Sequence, residues 1–324
     1  MSPDVYELAT ANTLQDDAVM ARASDTQTVA AADGRTLTIA ECGDPDGFPV
    51  FWLHGTPGSR FAGQGLASAY ADVGARVVTY DRPGYGGSDR LRGRRVVDCL
   101  ADVSSIADSL GLERFAVTGV SFGGPHSLAV AARLSGRVAR AECVAGVAPF
   151  DMPGFDWFAG MDAVNIDEIG WAQEGEDVLA REIERMAAAW LERVANDPSD
   201  PGEVEFSEAD RAVLANPQQQ EAMRRMLNEA FRQGVWGYVD DTLSLIQPWG
   251  FDVTEIRVPT RIHYGLTDVL VPPQHGEWLA HNVPRAEVVI DEQGGHFADP
   301  KLVTERFGWL VQPDLKLPTP RRSR

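Results

Sequence analysis

Short apolar runs separated by turn residues recur along most of this chain. The first two runs, 26–32 and 36–42, flank Asp33-Gly34, a pair that favours the tight turn of a β-hairpin. The later runs are rich in Val, Ile, Phe and Tyr, as buried strands are. We predict strands for them at 50–53, 76–80, 115–118, 140–147, 260–264 and 286–290.

Segments of helical length lie between most of these runs. One of them, 96–110, has apolar positions at the spacing of a helix that packs on a sheet. Alternating strands and helices are typical of a mostly parallel β-sheet flanked by helices. We therefore predict an α/β fold in which the functional loops gather at the carboxyl ends of the strands.

The alternation stops within 150–247, where the pattern is helical throughout. Ser207 followed by Asp210 predicts a helix start, and so does Asn216-Pro217, because asparagine caps helices and proline suits their first position. Apolar residues recur at helical spacing in Leu179, Ile183, Met186, Trp190 and Val194. The predicted organisation is an extension (1–25), a core (26–149 and 248–312), an all-helical insertion (150–247) and a loosely held tail (313–324).

The composition is that of an ordinary globular protein. Of 324 residues, 44% are hydrophobic and 24% are charged, and the formal net charge is −19. This charge opposes binding to nucleic acid or anionic membranes and suggests a neutral substrate. The start of the chain has no basic and apolar leader, and no run is long enough to span a membrane, so we expect a cytoplasmic protein. The three cysteines, expected to be structural thiols, are Cys42, Cys99 and Cys143.

The segment 119–124 reads Gly-Val-Ser-Phe-Gly-Gly and joins the run 115–118 to a helix-like stretch. A serine presented on a sharp strand-to-helix turn needs neighbours without bulk, and G-x-S-x-G supplies them. Ser121 is therefore the candidate nucleophile. The segment lacks the Lys-Ser/Thr ending of a phosphate-binding loop, and no cluster of residues has metal-ligand spacing, so we expect no cofactor and no metal.

A serine hydroxyl needs a general base, and the base needs an acid to orient it. His296 follows the strand at 286–290 in a glycine-flanked loop and is the candidate base. Asp268 follows the strand at 260–264 and could hold the imidazole in the useful tautomer. Asp252 and Asp299 are alternative acids.

An oxyanion formed at the substrate carbonyl needs backbone N–H donors. The residue after the nucleophile, Phe122, supplies one, and the loop at 54–59 is expected to supply the other. Pro57 has no N–H to donate. We predict Thr56 as the second donor, with Gly55 as the alternative.

Together these residues resemble the α/β-hydrolase superfamily, which uses the chain order Ser, Asp, His. Within it, 54–58 (His-Gly-Thr-Pro-Gly) and 81–88 (Asp-Arg-Pro-Gly-Tyr-Gly-Gly-Ser) look like the group of prolyl iminopeptidases, haloperoxidase-like esterases and lactone hydrolases. The resemblance implies a serine mechanism without a cofactor, and a helical cap at 150–247 that closes over the site. Relatives with an aspartate nucleophile, such as epoxide hydrolases and haloalkane dehalogenases, are disfavoured because Ser121 holds that position.

The likeness to prolyl iminopeptidases is incomplete. They usually have a tryptophan directly after the nucleophile and an H-G-G-P-G loop, whereas this chain has Phe122 and Thr56. We therefore expect hydrolysis of a carboxylic ester or lactone, with a prolyl iminopeptidase-like aminopeptidase or amidase, or a ligand-sensing protein with slow turnover, as alternatives. A homo-oligomer is possible.

Aromatic residues in the cap suggest a bulky, hydrophobic substrate, and a macrolactone of the zearalenone type would suit them. Four of them are placed to line a pocket near the ends of the cap, and these predicted substrate-binding residues are Trp157, Phe158, Trp236 and Tyr238.

Overall fold

Eight strands form a sheet in the order β1-β2-β4-β3-β5-β6-β7-β8. The computed structural model describes residues 26–150, 152–197, 202, 204–297 and 302–312, so the predicted extension 1–25 and tail 313–324 lie outside the described residues. The strands are β1 (Gln27–Ala30), β2 (Thr36–Gly43), β3 (Phe48–Leu53), β4 (Ala75–Tyr80), β5 (Phe115–Val120), β6 (Val138–Val144), β7 (Thr260–Gly265) and β8 (Glu287–Asp291).

The sheet is antiparallel at one edge and parallel elsewhere. β1 and β2 form the predicted hairpin, in which Gly34 adopts a φ of +87° at the turn, and β2 pairs antiparallel with β4. The pairs from β4 through β3, β5, β6 and β7 to β8 are all parallel. The predicted α/β fold with a mostly parallel sheet flanked by helices is therefore confirmed.

Ten α-helices accompany the strands in the described part of the chain. They are α1 (Ala67–Asp72), α2 (Cys99–Ser109), α3 (Gly123–Arg133), α4 (Ala163–Glu174), α5 (Glu176–Asn196), α6 (Glu208–Leu214), α7 (Pro217–Ala230), α8 (Trp236–Leu245), α9 (Pro273–Asn282) and α10 (Val303–Leu310). Short 3₁₀ turns cover Gln64–Leu66, Val96–Asp98 and Val253–Glu255. None of the described helices is both long enough and apolar enough to cross a bilayer.

The centre of the core is β5, which lies between β3 and β6 and is buried from Phe115 to Gly119. Phe115 contacts Phe51 of β3 edge to face, with ring centroids 4.8 Å apart. α3 follows β5 and has nine of its eleven residues buried, so it lies inside the molecule. A helix enclosed in this way holds the turn before it in a fixed position.

α4 to α8 form a helical insertion between β6 and β7. From here on we call this stretch of the chain the insertion. Leu179 and Ile183 of α5 pack with Tyr238 and Val239 of α8 in an apolar cluster separate from the sheet core. The two helix starts predicted in the insertion are confirmed. The Ser207 side chain caps α6, and the Asn216 side chain caps α7, with Pro217 in the first turn.

The three cysteines are buried and free. Burial raises the pKa of the Cys42 and Cys143 thiols to about 12, with a smaller contribution from a neighbouring glutamate in each case. Thiols of this kind are poor nucleophiles at neutral pH. Cys99 is also buried and its pKa is raised for the same reason.

Candidate active site

Ser121 lies on the sharp turn between β5 and α3. Its φ of +54° is in the left-handed region, which residues other than glycine rarely adopt. The Ser121 N–H donates to the Val144 carbonyl at 2.9 Å, and the Ser121 carbonyl accepts from the Gly124 N–H at 2.8 Å. The side chain is half-buried. A serine held in an unusual backbone conformation at the end of a central strand has the setting of a nucleophile.

The glycines around Ser121 are required by close packing. A Cβ atom at Gly119 would lie 2.0 Å from the Gly123 carbonyl oxygen, and one at Gly123 would lie 2.2 Å from the carbonyl oxygen of Leu53. A Cβ atom at Gly55 would lie 3.2 Å from Ser121 Cβ. The loop after β3 therefore passes directly beside the serine.

His296 and Asp268 are in contact, as the sequence predicted for a base and its acid. His296 Nδ1 and Asp268 Oδ2 are 2.8 Å apart, and both side chains are buried. Asp268 Oδ1 accepts from the N–H groups of Leu270 and Val271 at 2.9 Å each. The carboxylate is thereby fixed by three hydrogen bonds, and His296 Nε2 is left as the acceptor of the imidazole.

His296 differs from the other buried histidines in the direction in which its pKa is shifted. Burial alone would lower it, but the charge and hydrogen bond of Asp268, followed by the charge of Asp210, raise the pKa of His296 above its ordinary value of 6.5. Burial is the main cause of a lowered pKa in His54, His126, His263 and His275, to about 3 in His126 and about 4 in His275. Only a histidine with an adjacent carboxylate can accept a proton readily in such a setting.

Ser121, Asp268 and His296 follow β5, β7 and β8, which run parallel with β6, so all three lie at the carboxyl edge of the sheet. Among the described residues, however, the Ser121 hydroxyl and His296 Nε2 make no hydrogen bond to each other. Catalytic hydrogen bonds are often long before substrate binds and tighten afterwards. Proton transfer from the Ser121 hydroxyl to His296 Nε2 requires these two groups to come within hydrogen-bonding distance.

The alternative acids have other surroundings. The Asp252 carboxylate is exposed and accepts from the N–H and hydroxyl of Thr254, where it caps a 3₁₀ turn. Asp299 lies outside the described residues. Within the described ranges, no three His, Cys, Asp or Glu side chains are grouped as metal ligands.

Backbone donors lie on both sides of Ser121. In the described part of the chain, no hydrogen-bond partner occupies the N–H groups of Phe122, Thr56 or Gly55. Phe122 immediately follows Ser121 in the chain, and Gly55 packs against Ser121. The arrangement offers the two kinds of N–H donor that an oxyanion needs.

Arg82 holds the loop that carries Gly55 and Thr56. Its guanidinium donates to the carbonyl oxygens of His54 and Gly55 and, at 3.0 Å, to the Thr56 hydroxyl. Asp241 of α8 accepts from Arg82 and from the Thr56 hydroxyl, each at 2.5 Å. The insertion therefore contacts the candidate oxyanion loop through a buried ion pair.

Asp241 is the centre of this buried network. It also accepts from Arg94 at 2.6 Å and from the Tyr85 hydroxyl at 3.0 Å, and it is fully buried. Burial would raise the pKa of Asp241, but the guanidinium groups of Arg82 and Arg94 hold it well below its ordinary value. The network thus contains a carboxylate that stays charged at neutral pH.

The predicted substrate-binding residues near the start of the insertion pack with each other. Trp157 is buried and donates its indole N–H to the Ala148 carbonyl at 2.8 Å. Phe158 is half-buried, with its ring centroid 5.3 Å from that of Trp157. Trp157 also contacts His275 edge to face. Contact of these two aromatics with a substrate stays a prediction.

The pair near the end of the insertion lies on α8. Tyr238 is buried, and its hydroxyl donates to Glu168 at 2.7 Å. Trp236 is half-buried, with the guanidinium carbon of Arg90 4.0 Å from its ring centroid. Both side chains have packing partners in the protein, and their predicted role in binding a substrate is likewise untested.

Sequence reasoning did not single out two buried carboxylates of the insertion. Asp210 served only as a sign of a helix start, yet its side chain contacts the loop of His296. Asp241 lies beside Asp240 in α8, an otherwise mostly apolar helix. An acidic pair inside such a helix is a sequence signal of buried ion pairing, because isolated charges are too costly to bury.

Comparisons with known proteins agree with the fold. The family model described as alpha/beta hydrolase fold matches residues 49–298. A proline iminopeptidase of Xanthomonas citri is 26% identical over 286 residues, which cover 82% of this chain and 88% of that protein.

Two solved structures have the same fold. An esterase of Exiguobacterium antarcticum is similar with a TM-score of 0.64 at 20% identity, covering 88% of this chain and 96% of that chain. An enol-lactonase of Burkholderia xenovorans is similar with a TM-score of 0.58 at 19% identity and the same coverage. At these identities the likeness concerns the fold.

Proposed function

Because this chain belongs to the α/β-hydrolase family, we propose that it is a serine hydrolase that cleaves carboxylic esters or lactones without a cofactor. The observation that carries the proposal is the 2.8 Å contact of His296 with Asp268 at the sheet edge where Ser121 lies on a strained turn. A nucleophile, a base and an orienting acid are the three parts that acyl transfer requires.

The reaction begins when Ser121 Oγ attacks the carbonyl carbon of the substrate and His296 Nε2 takes the hydroxyl proton. Asp268 stabilises the imidazolium that forms, and the N–H groups of Phe122 and Thr56, or Gly55, donate to the oxyanion. The imidazolium then protonates the leaving alcohol, which departs as the acyl-enzyme forms. His296 next takes a proton from water as the water oxygen attacks the acyl carbon, and the imidazolium then gives this proton to Ser121 Oγ as the Oγ–acyl bond breaks and the carboxylic acid product is released.

A neutral, hydrophobic ester or lactone is the proposed substrate class. The net charge of −19 gives no electrostatic attraction for anionic substrates. The half-buried aromatic residues Phe158 and Trp236 supply apolar surface in or beside the insertion, whereas Trp157 and Tyr238 are buried. Similar solved structures include esterases and an enol-lactonase, which supports this class. A bulky macrolactone such as zearalenone would test the largest substrate size that the site accepts.

An aminopeptidase or amidase is the second candidate, favoured by the proline iminopeptidase that aligns with 82% of the chain. Binding of a substrate ammonium group calls for a carboxylate without a partner. The four buried carboxylates of the insertion already accept from arginine, hydroxyl or N–H donors in the described structure, and they are Glu168, Asp210, Asp240 and Asp241. Of these, Asp240 and Asp241 are paired with arginines, whereas Glu168 and Asp210 accept from neutral donors, so the choice between the two substrate classes rests on the turnover assay.

The proposal is tested by labelling with a fluorophosphonate and by turnover of a matched substrate panel. We expect the wild type to be labelled once, Ser121→Ala to be unlabelled, and short-acyl and lactone substrates to be turned over faster than prolyl amides. Ser121→Ala with its activity intact would refute the nucleophile. Preferred cleavage of prolyl amides would favour the second candidate, and one product per chain without further turnover would indicate a ligand sensor.

A further inference from the structure

We propose that Asp210, a carboxylate of the insertion, is a positioning residue that holds the loop of His296 and stabilises its imidazolium. The inference rests on the proposed function, in which His296 is the base. It adds a second carboxylate to the site, supplied by a different part of the chain from Asp268.

Asp210 contacts the residues on both sides of His296. Its Oδ1 accepts from the N–H of Phe297 at 2.7 Å. Its Oδ2 lies so close to Gly295 that a Cβ atom there would be 1.9 Å away. Glycine at 295 is therefore needed for this carboxylate to reach the loop. The Phe206 and Phe297 rings, with centroids 5.6 Å apart, add an apolar contact between the same two segments.

The partners of Asp210 are neutral. Its Oδ2 accepts from the Ser207 hydroxyl at 2.9 Å, and the Ser207 oxygen in turn accepts from the Asp210 N–H at 3.1 Å. Asp210 is fully buried, and no ion pair involves it within the described ranges. A buried carboxylate is costly without a cation. The imidazolium of His296, which forms during turnover, is the cation placed to compensate its charge.

The charged and titratable groups around His296 come from three elements besides its own loop. Asp268 follows β7 and makes the direct contact, and Asp210 belongs to α6. Asp291 at the end of β8 and His263 in β7 line a small cavity with His296, and burial lowers the pKa of His263. The charge of Asp210 acts together with Asp268 to raise the pKa of His296 against the effect of burial.

The substitution Asp210→Asn tests the effect of the charge alone, because asparagine is neutral and keeps an oxygen that can accept from the Phe297 N–H. Ser207→Ala is the matched control, because it removes a hydrogen bond to the same carboxylate and leaves the charge in place. The assays are the pH profile of kcat/KM with a chromogenic ester and an NMR titration of ¹⁵N-labelled His296 in the enzyme without substrate.

We expect Asp210→Asn to move the acid limb of kcat/KM and the NMR pKa of His296 to lower pH, by about half a unit or more. We expect Ser207→Ala to move neither, although its melting temperature falls. An unmoved NMR pKa in folded Asp210→Asn overturns the inference. Retained activity in Ser121→Ala would refute the proposed function instead, and the NMR titration would still report on Asp210.

A measurement on the wild type covers the case in which Asp210→Asn does not fold. The ¹³Cγ resonance of Asp210 should then change at the pH where His296 titrates, because the two charges interact. A ¹³Cγ resonance that does not respond at that pH overturns the inference as well.

Discussion

Replacement of Asp241 by alanine is the most direct test of how the insertion is attached to the core. The carboxylate is fully buried and pairs with Arg82 at 2.5 Å and Arg94 at 2.6 Å. Both guanidinium groups are themselves buried, with side chains only 1% and 3% exposed. Asp241→Ala therefore leaves two buried cations without their main counter-charge.

The expected loss in the free energy of unfolding is about 3–5 kcal/mol, as when one partner of a buried pair is removed. Arg94 keeps Asp240 at 3.4 Å, and Arg82 keeps its carbonyl acceptors, so the lower half of that range is the better estimate. For a chain of this size the melting temperature should fall by roughly 4–6 °C.

The assay is thermal and urea denaturation of the wild type and Asp241→Ala at neutral pH. Arg92→Ala is measured in parallel as the control. Arg92 pairs with Glu176 at 2.6 Å, but the Arg92 side chain is 74% exposed. An exposed pair contributes at most about 1 kcal/mol, so this control should leave the protein nearly as stable as the wild type.

The pH dependence supplies a second check. Because Arg82 and Arg94 hold the pKa of Asp241 well below 3.8, its stabilising contribution is fully present above that value and is lost as pH falls through the lower, folded-state pKa. The difference between wild type and Asp241→Ala should thus stay constant between neutral and mildly acidic pH. A loss below about 1 kcal/mol, or a difference that disappears in mild acid, would refute the reasoning.

Three further predictions concern the site. Asp268→Asn should lower kcat by roughly 10³- to 10⁴-fold with little change in melting temperature, and near-normal turnover in an ester assay would assign the acid elsewhere. Gly119→Ala should unfold the protein or sharply lower its melting temperature, because the new Cβ would meet the Gly123 carbonyl at 2.0 Å, whereas Gly136→Ala, with open space around it, should be neutral by the same measurement. The kcat/KM of the wild type should rise with pH through a pKa above 6.5, since His296 must be neutral to accept a proton, and a limb below that value would contradict the role of Asp268.

Local sequence signals predicted the fold because they coincide with what the sheet needs. The apolar run before Ser121 becomes β5, whose two buried faces require such a run. Asn216 and Pro217 mark the start of α7 because capping depends on neighbouring residues alone. The pairing of His296 with Asp268 was predictable because strand ends meet at one edge of a parallel sheet.

Contacts between distant segments could not be predicted in this way. Nothing in the local sequence connects Asp210 to Phe297, or Asp241 to Arg82, since these pairs depend on how the insertion lies against the core. The same limit applies to Trp157 and Tyr238, where aromatic character predicted apolar surroundings but could not identify the Ala148 and Glu168 acceptors.

The ion pairs beneath the insertion also determine how it can be exchanged in engineering. A chimera that takes only 150–247 from a relative would replace Asp241 and leave Arg82 and Arg94, which belong to the core segments, facing an unmatched surface. Transplanting these two arginines, or their counterparts, along with the helices would preserve the charge balance of the junction. The insertion of this scaffold is therefore portable only as a discontinuous unit, with part of the donor's loop after β4 included.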